Sequence, residues 1–387
     1  MLNAKTGTSI NADPKLAGKE AAQALKDVKD AKMAFVYSGV QYDQKALLDA
    51  IAKELPGVPL VGNTSFTGVI TDQGFVSGDD GFVGIMALGD KDMAVGVAGS
   101  PKQGDARATG HKVAVEAMKK AGKTTAPDYF FMVASPGEEE FYLKGISEVI
   151  GRVPCFGGSA ADNTITGEWV LYTDEMVTPE GVAVAFFYTD KKFANVYTGA
   201  YKETKKSGVI TKVEDYRKIC EIDGVPALEK YMEWTGATPD QVKGGDLLGY
   251  SITAPIGVKD PLGDLIAIRH PQAGNDDNTI SVGSNAAENT VAILMEGSVD
   301  QLITSTGATL KQTAERLGAP AGAYMLVHCG GRRAGIGDRI DEVAAQLKAA
   351  SGGVPFITEF TFGEFGYEDD SRNTCGGLML SFTGFEK

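Results

Sequence analysis

Two short segments of the sequence combine residue types that can perform chemistry. Residues 328–333 read His-Cys-Gly-Gly-Arg-Arg. A thiolate beside two guanidinium groups would have a depressed pKa, which is typical of a reactive cysteine. The alternative, which we favour, is that Cys329 is a small buried residue at the end of a strand. Arg332 and Arg333 are better candidates for binding, because a guanidinium group can hold a carboxylate through two parallel hydrogen bonds.

The second segment, residues 157–161, reads Gly-Gly-Ser-Ala-Ala after an apolar run. It resembles the nucleophile elbow of hydrolases, with alanine in place of the last glycine. A nucleophilic serine also needs a general base. The three histidines of the chain stand at positions 111, 270 and 328, a spacing that does not indicate a catalytic triad. We interpret the segment as a glycine-rich turn that lets backbone approach a ligand, with Ser159 as a nucleophile kept as the alternative.

These segments belong to a pattern that occurs three times. Each copy has an apolar run that ends in a small hydroxyl or thiol residue, then an amphipathic helix, a Val-Pro pair, a polar loop and a closing apolar run. The Val-Pro pairs stand at residues 58–59, 153–154 and 354–355, and the closing runs begin 25, 29 and 24 residues after each valine. Matched order and spacing indicate a structural repeat of strand, helix, strand, loop and strand. The predicted fold class is α/β, with mixed sheets that include antiparallel portions.

The length of 387 residues suits two or three domains. Asp13 and Pro14 are residue types of a helix N-cap and a first helical position, so a helix is predicted near the N-terminus. A turn at residues 221–224 precedes Pro226, which opens a further helix. The predicted organisation is an N-terminal helix in residues 1–31, one domain in residues 32–225 and a second domain in residues 226–387.

Composition limits the partners and the compartment of the protein. The formal net charge of −14 argues against nucleic acid and against an anionic membrane surface, because both need basic patches. The four cysteines are scattered, which favours a reducing compartment over a disulfide framework or a zinc site. The sequence has no secretory signal and no run of apolar residues long enough to span a membrane. A cytoplasmic protein is expected, and no metal or cofactor is predicted because no corresponding motif is present.

The order of several segments resembles the FIST family, a sensory module of prokaryotic signalling proteins. The segments are 61–68, 156–162, 223–227, 254–257, 329–332, 362–364 and 372–374, so the resemblance covers nearly the whole chain. Residues 156–162 read Phe-Gly-Gly-Ser-Ala-Ala-Asp, which is similar to the family's Gly-Gly-Ser-Ala-x-Asp segment. Asn63 departs from the pattern because a cysteine is common there, which weakens any thiol-based role at that position.

The resemblance implies a protein that senses a small anionic or zwitterionic metabolite, with an amino acid or a derivative as the suspected ligand. It implies no established catalytic residue. Many relatives carry output domains, so the output here is expected to pass through a separate signalling protein. The alternatives are an enzyme that acts on such a metabolite through Ser159 or Cys329, and a purely structural interaction protein.

A ligand site is expected where strand ends meet, because open α/β sheets bind ligands at the carboxyl ends of their strands. If the repeats converge, amides and hydroxyls of the first two loops would face Arg332, and the long last loop would close the pocket. The expected ligand-binding residues are Asn63, Thr64, Ser65, Gly158, Ser159, Asp162, Cys329, Arg332, Glu364, Arg372 and Asn373.

Overall fold

The structure is a computed structural model that describes residues 1–259, 264–367 and 373–387. Its fold is mixed α/β, and the predicted repeat is confirmed. In each repeat the first and second strands pair in parallel, and the closing strand pairs with the first in antiparallel orientation. Arg372, one of the expected ligand-binding residues, lies outside the described residues.

The first unit covers residues 3–89 and begins with an edge strand that the sequence analysis did not predict. Its elements are β1 (Asn3–Ser9), α1 (Pro14–Gln23), β2 (Ala31–Ser38), α2 (Gln44–Glu54), β3 (Leu60–Thr64), β4 (Val69–Thr71), β5 (Gly74–Val76) and β6 (Val83–Gly89). The Asp13 carboxylate accepts from the amides of Lys15 and Leu16, and Pro14 occupies the first turn of α1, as predicted. The first 31 residues therefore contain a strand as well as a helix.

The second unit repeats this order over residues 94–188. Its elements are β7 (Ala94–Pro101), α3 (Ala106–Lys120), β8 (Tyr129–Ala134), α4 (Glu139–Ile150), β9 (Cys155–Ser159), β10 (Leu171–Thr173), β11 (Met176–Thr178) and β12 (Gly181–Tyr188). All six residues of β8 are buried, because α3 and α4 cover one face of its sheet and the central core covers the other. Such two-sided burial explains the continuous apolar run Tyr-Phe-Phe-Met-Val-Ala.

The third unit is interrupted by an inserted domain after its edge strand, β13 (Phe193–Thr198). The inserted elements are β14 (Lys202–Glu214), β15 (Lys218–Ile222), β16 (Val225–Pro226), α5 (Ala227–Thr235), α6 (Pro239–Val242), α7 (Asp246–Tyr250), β17 (Ile256–Lys259), β18 (Ile266–Arg269), β19 (Pro271–Gly274), β20 (Ile280–Val282) and β21 (Val291–Glu296). They build an eight-stranded sheet with its own core. The position predicted for a domain boundary, 225/226, falls within β16, which pairs with β15 in this sheet.

The chain then completes the third unit. Its remaining elements are α8 (Val299–Leu317), β22 (Ala321–Cys329), α9 (Gly330–Ile336), a 3-10 turn (Gly337–Arg339), α10 (Ile340–Ser351), β23 (Phe356–Thr361), β24 (Glu364–Gly366), β25 (Thr374–Gly376) and β26 (Leu380–Glu386). Among the helices of the described residues, none combines the length and the apolar composition that crossing a bilayer requires.

The units exchange their loop hairpins in a cycle. The hairpin β4–β5 of the first unit extends the sheet of the third through β23, β10–β11 of the second extends the sheet of the first through β3, and β24–β25 of the third extends the sheet of the second through β9. Each unit therefore forms a six-stranded sheet whose last two strands come from another unit. The inner faces of the three sheets enclose one apolar core, to which Phe35, Phe131 and Met325 contribute.

Three backbone hydrogen bonds close this cycle at the ends of the second strands. They run from Phe66 N to Phe360 O (2.9 Å), from Ala161 N to Thr64 O (2.8 Å) and from Phe362 N to Ser159 O (3.3 Å). Each bond joins one unit to another, so the three strand ends form a ring, called here the central ring. The predicted strand-end segments at 63–65 and 158–159 meet there.

Candidate functional site

The register of the strands identifies the residues that correspond in the three units. Asn63 pairs with Tyr37, Gly158 with Val133, and Glu359 with Val327, in each case between the first and second strands. The third-unit counterpart of residues 63–65 and 158–160 is therefore 359–361. Arg332 follows the first strand of its unit instead, and so lies at a different place from the strand-end residues with which it was grouped.

Glu359 is fully buried beside the central ring. Its Oε2 accepts from Asn63 Nδ2 at 2.8 Å. Burial raises the pKa of Glu359 to about 8, with the Asn63 amide and the Tyr37 hydroxyl opposing that rise. Asn63 also donates to the backbone oxygen of Thr64 at 3.0 Å.

Residues 64, 65 and 158 contribute to the structure of the central ring through hydrogen bonds to backbone amides and through close packing. The Thr64 hydroxyl accepts from Val170 N at 3.0 Å, and the Ser65 hydroxyl accepts from Phe360 N at 2.9 Å. A Cβ added to Gly158 would lie 2.6 Å from Thr361 Cγ2. Glycine is therefore required at 158 by close packing.

Ser159 lies between the central ring and the inserted domain. Its hydroxyl donates to Glu139 Oε1 at 2.8 Å, and Glu139 Oε2 accepts from Arg217 Nη2 at 2.6 Å and from Gly137 N at 2.8 Å. Arg217 also pairs with Glu140 at 2.7 Å. Because Arg217 belongs to the inserted domain, this partly buried network connects that domain to the strand end of the second unit.

Asp162 and Asn373 hold backbone in place. The Asp162 carboxylate accepts from the backbone amides of residues 164–168. Asn373 donates to Val153 O at 2.7 Å and accepts from Cys155 N at 3.1 Å. Both side chains therefore bind backbone groups of the second unit.

Cys329 and Glu364 form a second buried polar cluster. The Cys329 sulfur accepts from Gly331 N and Leu378 N at 3.3 and 3.1 Å. Burial, with the Glu364 carboxyl adding to it, raises the pKa of the Cys329 thiol. Glu364 accepts from the Thr361 hydroxyl and from Met379 N, both at 2.8 Å, and burial raises its pKa to about 8. A thiol whose pKa is raised is a poor nucleophile, so this environment suits a structural cysteine.

Arg332 is completely buried and supports the wall of an open cleft. It donates to Gly199 O at 2.7 Å, to Leu302 O at 3.0 Å and to the Ser305 hydroxyl at 2.7 Å. Its guanidinium carbon lies 6.0 Å from the ring centre of Tyr201. The guanidinium group thus fixes the segment that follows β13.

The cleft lies between the third unit and the inserted domain and has a volume of about 340 Å³. Its lining includes backbone after β13, residues of β18 and β21, and polar side chains of α8. Representative lining residues are Thr198, Tyr201, Asp264, Ile268, Gln312 and Arg316. Tyr197, which also lines the cleft, donates from its hydroxyl to Glu364 O at 3.1 Å. Two of the expected ligand-binding residues, Arg332 and Glu364, therefore lie directly behind the cleft wall.

Comparison with protein families shows two domains that match the chain. The FIST N domain matches residues 32–225, and the FIST C domain matches residues 227–367. The chain belongs to the FIST family. FIST domains are generally taken as small-ligand sensory domains in signalling. No curated protein matches the chain.

Solved structures give only distant likenesses. Cyanuric acid hydrolase from A. caulinodans is 11% identical, with full coverage of both chains and a TM-score of 0.38. PurL from T. maritima complexed with AMPPCP is 11% identical over all of this chain and 72% of that one, with a TM-score of 0.25. At such TM-scores neither likeness carries an argument about this FIST protein.

Sequence reasoning missed several polar residues of the FIST protein's interior. Glu139 was not identified as a site residue, because a carboxylate in the first turn of a helix is explained by the helix dipole alone. Glu359 and the cleft residue Tyr201 were not considered at all. The signal for Glu359 was present, since a charged residue interrupts the apolar strand Phe-Ile-Thr-Glu-Phe-Thr. Such a residue is costly to bury and therefore marks a site that needs an explanation.

Proposed function

We propose that this FIST protein is a sensory protein of signal transduction that binds a small zwitterionic or anionic metabolite, such as an amino acid or a derivative, in the cleft between the third unit and the inserted domain. The observation that carries the proposal is the composition of the cleft: Asp264 and Arg316 supply both charges, while Tyr201 and Ile268 supply an apolar wall. Carboxylate recognition by arginine and ammonium recognition by a carboxylate are the interactions that a zwitterion offers. The volume is at the lower end of that of small-molecule sites.

The position of the cleft supports a sensory role. A ligand bound there would contact both the third unit and the inserted domain, and the inserted domain is also attached to the second unit through Arg217. Differential binding to two arrangements of these parts would convert ligand concentration into a change of shape. The output would then pass to a separate signalling protein in the cytoplasm.

A thermal-shift screen against amino acids and their derivatives tests the proposal. A ligand at about 100 times its dissociation constant adds about 2.7 kcal/mol to the stability of the folded state. Titration calorimetry of the best compound would then compare wild type with Arg316→Gln. Loss of a charge-assisted hydrogen bond is worth about 1.5–3 kcal/mol, so the dissociation constant should rise by roughly ten-fold to a hundred-fold.

Two further variants sharpen the result. Asp264→Asn should weaken the binding of a zwitterion but leave unchanged the binding of a ligand that carries only a carboxylate. Arg339→Gln, which removes an exposed arginine paired with Asp300 and Glu342, is the matched control and should bind normally. Unchanged affinity in both Arg316→Gln and Asp264→Asn would show that the ligand binds elsewhere.

An enzyme is the second candidate, favoured by the contact between Ser159 and Glu139. A hydroxyl donating to a carboxylate that a third group orients is the arrangement of an activated nucleophile. Here Arg217 is the orienting group. Incubation of the bound metabolite with the protein, followed by product analysis, separates the two functions. Turnover that Ser159→Ala abolishes would support the enzyme, whereas an unaltered compound would support the sensor.

A further inference from the structure

Glu359 occupies a place in the core that an ionised carboxylate does not suit. Alternation along β23 puts Ile357 and Glu359 on the inner face, since Ile357 belongs to the central core while Phe356 and Phe360 pack against the outer layer. Its side chain is fully buried. Within the described residues it makes no ion pair with lysine, arginine or histidine. An isolated buried charge of this kind is unfavourable by several kcal/mol in a typical protein.

Three polar atoms around Glu359 lack hydrogen-bond partners among the described residues. They are Glu359 Oε1, Asn63 Oδ1 and the Tyr37 hydroxyl oxygen. Asn63 Nδ2, in contrast, donates to Glu359 Oε2 at 2.8 Å. Buried polar atoms are rarely left unsatisfied. The Tyr37 hydroxyl can donate to only one acceptor, so one of the two acceptor oxygens, Glu359 Oε1 and Asn63 Oδ1, stays unmatched while Glu359 is ionised.

The groups that face Glu359 do not provide a compensating positive charge. Tyr37 on β2 and Tyr172 on β10 are the titratable neighbours, and the pKa of each is raised by burial, with the Glu359 carboxyl adding to it. The Tyr172 hydroxyl already donates to Asn63 O at 2.9 Å. The remaining residues of this layer in the paired strands are Val327 and Ser381.

We propose that Glu359 is a proton-binding site of the folded protein, in which the neutral carboxylic acid donates from Oε1 to Asn63 Oδ1 or to the Tyr37 hydroxyl while Oε2 accepts from Asn63 Nδ2. One proton taken from solvent then satisfies Glu359 Oε1 and one of the two other unmatched atoms. It also removes the buried charge. Burial raises the pKa of Glu359 from its usual 4.5 to about 8, which agrees with an acid that is neutral at physiological pH.

The proton links two units at the central ring. Asn63 precedes Thr64, and Glu359 precedes Phe360, and both of these neighbours accept ring hydrogen bonds through their backbone oxygens. Loss of the proton would leave two acceptors facing each other across the junction of the first and third units. The protein would then respond to pH at its centre, independently of any ligand in the cleft.

The direction of the pH dependence follows from proton linkage. The folded state keeps the proton up to about pH 8, whereas the unfolded state releases it near pH 4.5. The stabilisation is therefore complete below about pH 4.5 and is lost as the pH rises to about 8. Glu364, whose pKa burial also raises to about 8, adds a slope of the same sign.

The test is a carboxyl NMR titration of protein labelled with ¹³C at the glutamate side-chain carboxyl carbon, with melting temperatures measured in parallel. Glu364→Gln isolates Glu359, because Glu364 is the other glutamate of the described residues whose pKa burial raises to about 8. In that variant we expect one glutamate signal that remains that of a neutral acid at pH 7 and disappears in Glu359→Gln. We also expect Glu359→Gln to weaken the fall in melting temperature between about pH 5 and pH 9, because glutamine can pair with Asn63 without ionising.

Two results would overturn the proposal. One is that every glutamate signal of wild type and of Glu364→Gln is that of an ionised carboxylate at pH 7, which remains decisive even if Glu359→Gln does not fold. The other is a saturable rise in the melting temperature of wild type with ammonium, sodium or potassium chloride that Glu359→Gln abolishes. That result would assign the site to a cation instead of a proton.

Discussion

Glu139 and Glu359 are two completely buried glutamates near the central ring, and they are balanced in opposite ways. Glu139 has a guanidinium at 2.6 Å, a backbone amide at 2.8 Å and a serine hydroxyl at 2.8 Å. Glu359 has one amide at 2.8 Å and an oxygen without a partner among the described residues. The charge of Glu139 is balanced by the guanidinium group of Arg217. Glu359 has no such partner, and in our proposal protonation keeps it neutral.

This difference indicates different roles for the two places at which the glutamates lie beside the central ring. A paired charge at the border of the second unit fixes the inserted domain, since Arg217 reaches across from that domain. An unpaired acid at the border of the first and third units makes the ring sensitive to pH. Variants that remove one partner from each cluster should therefore differ in stability.

The largest expected effect is that of Arg217→Ala. Removal of the guanidinium leaves the fully buried Glu139 and the partly exposed Glu140 without a counter-charge. Breaking a fully buried pair costs about 3–5 kcal/mol, and we expect a loss at the lower end of that range because Arg217 is 20% exposed. The unfolding midpoint in urea measures this loss. Arg339→Ala is the control, because Arg339 also pairs with two carboxylates but is 44% exposed, and its loss should change the midpoint little. Equal effects of the two variants would remove the distinction between buried and exposed pairs.

Arg332→Met should have the next largest effect. Arg332 is a buried charge whose partners are two carbonyl oxygens and a hydroxyl, and loss of hydrogen bonds to a charged group costs about 1.5–3 kcal/mol. Methionine keeps the aliphatic volume but cannot donate. Calorimetric unfolding measures the loss of stability. If Arg332 were instead a direct ligand contact, Arg332→Met would keep its stability and lose binding.

The variants Glu139→Gln and Glu359→Gln form a matched pair. We expect their free energies of unfolding to differ by less than the losses caused by Arg217→Ala or Arg332→Met. At pH 8 Glu139→Gln should destabilise the fold by about 1–3 kcal/mol, because it removes a charge-assisted hydrogen bond. Glu359→Gln should change stability by less than about 1 kcal/mol, because it resembles the neutral acid. Urea unfolding of both variants at one pH measures the comparison, and a greater loss in Glu359→Gln would contradict it.

The smallest expected effect concerns the thiols. Burial raises the pKa of all four cysteines, so each is expected to react slowly in the native protein. An aromatic disulfide reagent should titrate four thiols in urea under non-reducing conditions, with Cys220 reacting first in the native state. If Cys329 reacted fast with the reagent in the folded protein, that result would support a reactive role for this residue.

The sequence carried the repeat but not the way in which the repeats fit together. Val-Pro pairs and apolar runs report on a single unit, so they predicted the strand order within each unit. The exchange of hairpins depends on pairing between distant segments, such as Ile357 with Thr71, which no local pattern records. The edge strand β1 was missed because its residues, Asn-Ala-Lys-Thr-Gly-Thr-Ser, include no large apolar side chain and only two β-formers, both threonines, so pairing with β6 decides their conformation.

The candidate site was predictable only in part, for a similar reason. Arg332 and Glu364 were identified as polar groups in loops, yet the Arg332 side chain turns inwards and supports the cleft from behind, and Glu364 contacts the cleft residue Tyr197 only through its backbone oxygen. The residues that line the cleft come from β13, the inserted domain and α8, which are remote in sequence. Their spacing therefore contains no sign of a common site.

A crystal structure of the protein with the best compound from the amino-acid screen tests the central proposal most directly. We expect electron density for an unaltered compound in the cleft, with its carboxylate at Arg316 and any ammonium group at Asp264. Density beside Ser159 and Glu139, or for a cleaved product at any position, would contradict the assignment of a ligand sensor with its site in the cleft.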